Sequence, residues 1–211
     1  ILDKAWAAGI PHVTFTGGEP TLREDLPELI AYAEEKGMVS GLLSDGLKFA
    51  DAAYLNTLLQ TGLDHLLFLL QPEKKKSWQA LEAIMPADLF TTVHLTITEN
   101  NADNIGETLE KLAALEVTSL SLTCTPDQDV TLLSARDQAA RLGISLTWDL
   151  PVPYSAHHPI TLETSEEHFP DGAGKVWLYV EPDGDVLPMQ GMPDQILGNF
   201  LHDDWASIWK K

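Results

Sequence analysis

The stretch Thr16-Gly17-Gly18-Glu19-Pro20-Thr21 places two adjacent glycines directly before a carboxylate and a proline. Residues without a Cβ let a ligand approach backbone amide and carbonyl groups closely. A carboxylate beside those groups accepts charge-assisted hydrogen bonds from a ligand's ammonium group. The same string also serves a tight strand-to-helix turn, in which glycine supplies unusual dihedrals and Pro20 ends the strand. Ser44, Gln71 and Thr98 each follow an apolar run in the same way. Taken singly, each of these three reads as an ordinary loop hydrogen-bonding group.

Short apolar runs alternate with longer stretches of helical period, the pattern of repeated βα units. Strands are expected at Val13 to Thr16, Val39 to Leu43, His65 to Leu70, Thr92 to Ile97, Ser119 to Thr123 and Ile144 to Asp149. Helices are expected at Asp25 to Lys36, Asp51 to Gln60, Ser77 to Ile84, Asn104 to Leu115 and Leu132 to Arg141. Gly37, Gly62, Pro86 and Gly143 stand just past four of them, where helices stop. Strands joined through helices pair in parallel, because the crossover is too long for a hairpin, and right-handed crossovers leave a barrel or an open doubly wound sheet. Six βα units without a dinucleotide fingerprint favour the barrel. Barrels of this kind do their chemistry at the carboxyl ends of the strands, where the diglycine turn falls.

From Pro151 the pattern changes to a polar, proline-rich stretch that reads as a linker wrapping the scaffold. Lys175 to Val180 and Asp185 to Leu187 then flank Glu181-Pro182-Asp183-Gly184, a hairpin signal closed by a helical pattern over Asp203 to Lys211. The opening residues, Ile1 to Ala8, read as the second half of an amphipathic helix, so further residues are expected before Ile1.

Composition excludes several classes of partner. The 211 residues carry 13 Lys and Arg against 32 Asp and Glu, a net charge of -19. A field of that sign repels phosphate backbones and anionic headgroups, so neither nucleic acid nor a membrane surface is an expected partner. No apolar run approaches the length that crosses a bilayer, and a cytoplasmic protein is expected. The single cysteine, Cys124, makes no internal disulfide and no structural zinc or iron-sulfur site alone; in a strand it reads as a small buried hydrophobe. His94 reads as a satisfied core histidine, His157-His158 as part of a solvated loop, and Lys74-Lys75-Lys76 as a solvated loop after the third strand. No lysine falls within a predicted barrel strand, which disfavours a Schiff-base aldolase.

The run from His12 to Ile30, through Thr16-Gly17-Gly18-Glu19-Pro20, resembles the first strand, Gly-Gly-Glu-Pro turn and following helix of the radical S-adenosylmethionine superfamily. Leu43-Ser44-Asp45-Gly46 is similar to the Thr-Asn-Gly at the end of that superfamily's next strand. The run Gly174 to Pro188, with Leu197-Gly198-Asn199 and Ile208-Trp209 after it, resembles the start of a SPASM or twitch extension. The resemblance implies an α/β fold: a partial (β/α)6 TIM-like barrel over residues 1–150, with a linker and small β cap over 151–211. It implies S-adenosylmethionine bound at the barrel mouth beside a 4Fe-4S cluster, which reduces the sulfonium and releases a 5'-deoxyadenosyl radical that attacks a small-molecule or peptide substrate. An electron donor such as flavodoxin or ferredoxin is implied with it. By position, Gly17, Gly18 and Glu19 would hold the methionyl ammonium, and Ser44, Gln71 and Thr98 would meet the ribose and carboxylate.

The chain also departs from that pattern. It lacks the CxxxCxxC segment whose three thiolates hold the cluster and leave one iron open; those ligands are expected upstream of Ile1. Asp171 and Met189 stand where SPASM-type extensions carry cysteines, so a packed cap without an auxiliary cluster is expected. Two other readings stay open: a non-catalytic small-molecule-binding barrel that has lost the cluster, and a metal-dependent barrel lyase using carboxylates such as Glu19 and Asp149.

Overall fold

A computed structural model of the chain describes residues 1–147 and 173–209. The proline-rich linker up to residue 172, with Asp149, His157-His158 and Asp171, lies outside the described residues. Strands β1 (His12–Phe15), β2 (Val39–Ser44), β3 (His65–Leu69), β4 (Phe90–Ile97), β5 (Ser119–Cys124) and β6 (Ser145–Leu146) form one parallel sheet in sequential order. Helices α2 (Leu26–Lys36), α3 (Ala52–Leu59), α4 (Lys75–Ile84), α5 (Ile105–Ala114) and α6 (Asp129–Arg141) make the crossovers, after a short α1 (Leu2–Ala7).

Sequential order with right-handed crossovers puts every helix on the same face of the sheet. Side chains alternate along a strand, so one set, Leu42, Leu66, Phe68, Val93, Leu95, Leu120 and Leu122, packs with helix residues such as Ile30, Leu58, Leu81, Leu109 and Leu112 in the main core. Each such fully buried side chain contributes about 1.5–3 kcal/mol. The alternate set faces the inner side. There Leu43, Leu67 and Leu69 of β2 and β3 form a separate apolar patch, whereas Thr92, His94, Thr96, Ser119 and Ser121 of β4 and β5 are polar and buried. The expected α/β fold of parallel βα units is observed.

A second sheet, antiparallel, is built from β7 (Tyr179–Val180), β8 (Asp185–Leu187) and β9 (Gly198–Asn199), followed by α7 (Trp205–Ile208). The Asp183-Gly184 turn joins its first two strands as expected. Its core is shared with the start of the chain: Val186, Phe200 and Ile208 pack with Ala5, Ala33 and Met38, against Val13 and Phe15 of β1. Lys4 Nζ donates to the Asp203 carbonyl across the same contact.

Several boundaries differ from expectation, among them the strand expected from Lys175, which is observed only over Tyr179–Val180. Lys75 and Lys76 belong to α4, not to a loop, because the helix start is set by local anchors: Ser77 Oγ accepts from Gln71 N, and Trp78 Nε1 donates to the Pro72 carbonyl while Lys111 covers its ring at 3.7 Å. Helix α6 begins three residues earlier than expected, and its first turns expose Val130 (83%) and Leu133 (52%), so no amphipathic period marks that end. The final helix is a single turn, Trp205–Ile208, with Trp205 stacked on Trp209.

Gly46 follows β2 with φ +67°, and a Cβ there would fall 1.9 Å from the buried Phe68 ring. Gly46→Ala is expected to cost about 2 kcal/mol or more, combining left-handed strain with overpacking. Gly18, with nothing within 4 Å of its absent Cβ, should accept alanine within about 0.5 kcal/mol. Urea denaturation of the two variants measures the difference.

Candidate functional site

Strand β1 ends at Phe15, and the chain turns through Gly17, whose φ of +142° few other residues adopt. Both Gly17 and Gly18 have open space where a Cβ would stand. Glu19 is in extended conformation and caps a 3₁₀ turn over Pro20–Leu22 by accepting from Thr21 N at 2.9 Å through Oε1. Pro20 opens that turn, where a missing N–H costs nothing.

The same carboxylate reaches across to the end of β2. Ser44 Oγ donates to Glu19 Oε1 at 2.7 Å, and Asp45 N donates to Oε2 at 2.8 Å. Ser44 is buried and its Oγ also accepts from Gly46 N at 2.9 Å. Asp45 Oδ1 accepts from Leu47 N at 3.0 Å, and Gln71 Nε2, beyond β3, approaches Asp45 Oδ2 at 3.5 Å. One hydrogen-bonded row thus runs from the diglycine turn across three consecutive strand ends. A carboxylate has about four lone-pair sites; Glu19 fills two on Oε1 and one on Oε2, which leaves acceptor capacity on the Asp45 side.

Behind this row, Lys48 Nζ donates to the Thr21 carbonyl at 2.7 Å and lies over the Tyr54 ring at 4.1 Å. The Tyr54 hydroxyl is buried without a partner. Desolvation, with the Glu19 charge adding to it, pushes its pKa up to about 12.

Of the residues predicted from sequence, Gly17, Gly18, Glu19, Ser44 and Gln71 fall together at the strand ends. Ser44 faces Glu19, and its hydrogen bonds to that carboxylate and from Gly46 N make it a clamp on the carboxylate. Thr98 is placed differently: its N–H donates to Asn101 Oδ1 at 2.9 Å and its carbonyl accepts from the amides of Asn101 and Ala102, which makes it the opening of a turn. Sequence reasoning missed Asp45, and it missed the inner wall of β4 and β5. There His94 meets Ser121 through Nδ1 at 3.0 Å and both Thr96 and Thr123 through Nε2 at 3.2 Å, and Thr92, Ser119 and Thr147 continue the row of hydroxyls. Alternation of polar and apolar residues within Thr92 to Ile97 and within Ser119 to Cys124 was the available signal. His94 is a satisfied interior histidine, as expected.

The donor set suits an ammonium-bearing ligand: open glycine backbone and a Glu19 carboxylate with acceptor capacity left on Oε2. It does not suit an iron-sulfur cluster, which takes thiolates. Cys124 is buried, its Sγ near Asp129 Oδ1 at 3.6 Å and its thiol pushed up by desolvation. Among the described residues no group of three His, Cys, Asp or Glu can hold a metal ion, and no helix is long and apolar enough to cross a membrane.

The fold and this mouth define a parallel βα scaffold of six strands with a candidate ligand site at its carboxyl strand ends. No protein-family model matches the chain. It is 31% identical over 132 residues to a PqqA peptide cyclase of Granulibacter bethesdensis, covering 56% of this chain and 35% of that protein. It is 26% identical over an alignment of 244 residues to a PqqA peptide cyclase of Methylobacterium sp., covering 99% of this chain and 62% of that protein. The chain therefore spans between about a third and just under two thirds of these relatives. Among solved structures it is similar to native anSMEcpe with bound AdoMet (TM-score 0.73, 15% identity, all of this chain and 70% of that one). It is also similar to Streptococcus suis SuiB bound to S-adenosylmethionine (TM-score 0.70, 14% identity, all of this chain and 56% of that one). The likeness to the two solved structures is one of fold, and the likeness to the PqqA peptide cyclases is one of sequence over part of their length.

A tyrosine whose folded pKa lies above its unfolded value of 10.0 contributes stability that is complete below pH ~10 and lost as pH rises toward ~12, since the unfolded chain ionises first. Stability should fall through that window, with Tyr179, also raised by burial, adding to the slope. Tyr54→Phe should flatten the fall and remove a late-ionising phenol from the ultraviolet absorbance titration.

Proposed function

We propose that this chain is the S-adenosylmethionine-binding barrel of a radical S-adenosylmethionine enzyme, probing a peptide substrate from the inner face. The observation that carries the reading is the Glu19 carboxylate, fixed by Thr21, Ser44 and Asp45 beside two open glycines, with acceptor capacity left on Oε2. In this reading Gly17, Gly18 and Glu19 hold the methionyl ammonium, with Gln71 and Thr98 further along the rim toward the ribose and carboxylate. When bound and reduced, the cofactor supplies a 5'-deoxyadenosyl radical. The 4Fe-4S cluster that would reduce it needs a set of thiolates that the described residues do not offer.

The peptide class rests on the names of the relatives, PqqA peptide cyclases, and on a structure of SuiB bound to precursor peptide SuiA. This chain's own contribution is to orient the cofactor and enclose the substrate. An inner face with leucines on β2 and β3 and hydroxyls on β4 and β5 suits a substrate with both apolar side chains and amide groups. A small reductant protein such as flavodoxin or ferredoxin, a cytoplasmic setting, and a barrel-to-cap boundary near residue 150 belong to the same reading.

Calorimetry with this chain tests it. Saturable binding of S-adenosylmethionine is expected, and Glu19→Gln should weaken it about tenfold or more, because a charge-assisted hydrogen bond is lost. Absence of binding to the wild-type chain overturns the reading. A longer form carrying a CxxxCxxC segment that binds the cofactor but takes up no iron under anaerobic reconstitution would select the non-catalytic barrel instead.

A further inference from the structure

We infer that Lys48 is a positioning residue for the cofactor site: by holding the Thr21 carbonyl it fixes the turn that orients the Glu19 carboxylate, so that the diglycine mouth is formed before a ligand arrives. The inference rests on the reading above and deepens it. The chain carries 32 Asp and Glu against 13 Lys and Arg, so carboxylates far outnumber the cations that could pair with them. Among the described residues the ion pairs are Arg23–Asp25, Lys36–Asp3 and Arg136–Asp137, and Lys48 is in none of them. Its Nζ instead donates to the Thr21 carbonyl at 2.7 Å and lies 4.1 Å from the centre of the Tyr54 ring.

That carbonyl needs a donor. In the 3₁₀ turn after Glu19, the carbonyls of Glu19 and Pro20 are taken by the amides of Leu22 and Arg23, and the Thr21 carbonyl is taken by Lys48. Thr21 is only 1% exposed, so without the ammonium its carbonyl would be shut away from water with its bonding unmet. Side chains thereby hold Thr21 on both sides: Glu19 Oε1 accepts from its N–H at 2.9 Å, and Lys48 donates to its C=O. Fixing the carbonyl limits how far the amide can turn away from Glu19. Lys48 is itself well anchored. It sits in the 3₁₀ turn Leu47–Ala50 after β2, where Phe49 is fully buried and stacks with Tyr54 at 6.1 Å. The loops after β1 and β2 are therefore joined a second time, through a bond that does not involve the Glu19 carboxylate. A site held in its binding geometry loses less freedom when a ligand is captured. Lys48 acts through Thr21 and Glu19 and needs no contact with the ligand.

Amide hydrogen exchange on the ligand-free chain is the first test. In Lys48→Met the amides of Thr21 and Asp45, both bound to Glu19, are expected to exchange about tenfold faster, while Leu67 in the middle of β3 keeps its rate. Lys48→Arg keeps the charge and the donors and should return most of the protection at Thr21. Tyr54→Leu removes the ring over the ammonium and should speed Thr21 exchange about threefold. By calorimetry S-adenosylmethionine should bind Lys48→Met about tenfold more weakly. Because the effect runs through Glu19, adding Lys48→Met to Glu19→Gln should weaken binding by only about threefold or less. A folded Lys48→Met chain whose Thr21 amide exchanges at the wild-type rate, or whose affinity is unchanged, overturns the inference. So does a full tenfold loss that persists in the Glu19→Gln background, since Lys48 would then act independently of the carboxylate. If Lys48→Met does not fold, wild-type exchange at Thr21 in Tyr54→Leu overturns it. Wild-type chain that binds no S-adenosylmethionine overturns instead the functional reading on which the inference rests, whatever the exchange rates.

Discussion

The structure depends on one carboxylate joining two strand ends. Parallel strands separated by helices are joined through their backbones along the ladder, but their carboxyl ends open into independent loops. Glu19 removes that independence: from the turn after β1 it accepts from Thr21 N, from Ser44 Oγ and from Asp45 N after β2. Three hydrogen bonds to an ionised acceptor are together worth several kcal/mol, and the geometry they hold is that of the mouth. Gly17 turns at φ +142°, Gly46 turns at φ +67° against Phe68, and both turns are possible because no Cβ is present.

Positioning of this mouth also draws on a remote part of the chain. The cap of β7, β8 and β9 shares its core with α1, α2 and β1 through Val186, Phe200, Ile208, Ala5, Ala33 and Met38. β1 lies at one end of the six-stranded sheet, and an end strand has a partner on one side only. The cap adds apolar burial to the strand that carries the diglycine turn, so the C-terminal residues support the site without contributing a side chain to it.

Much of the scaffold was legible because burial on one face imposes a period. The helices α2 to α5 and the strands they separate alternate between 3.6-residue and 2-residue spacing, and the sheet order follows from crossover handedness. Where burial imposes no period, the reading was inexact. Helix α6 starts under exposed Val130 and Leu133, and α4 starts at lysines anchored by Trp78. The two-residue strand β9 is too short to have a pattern at all; it exists because Asn199 links it to Asp185 and Asp203. Within the site, Ser44 was recognised as a strand-end hydroxyl, but its direction toward Glu19 was not accessible, since residues 25 apart in the chain meet only when β1 and β2 pair.

The amino-acid sequence by itself determined the class of scaffold and the turn where a ligand's amino group can be met, because both are local: a spacing of apolar residues, and two missing Cβ atoms beside a carboxylate. Only the tertiary structure decided what that carboxylate is bound to. It brought the Asp45 amide to Glu19's second oxygen, turned Ser44 into a clamp, set Thr98 at the opening of a turn, and split the inner face into leucine and hydroxyl walls. The physical reason is that hydrogen bonds and charge proximity are set by distance in space, which strand register and crossover handedness establish and which spacing along the chain does not encode.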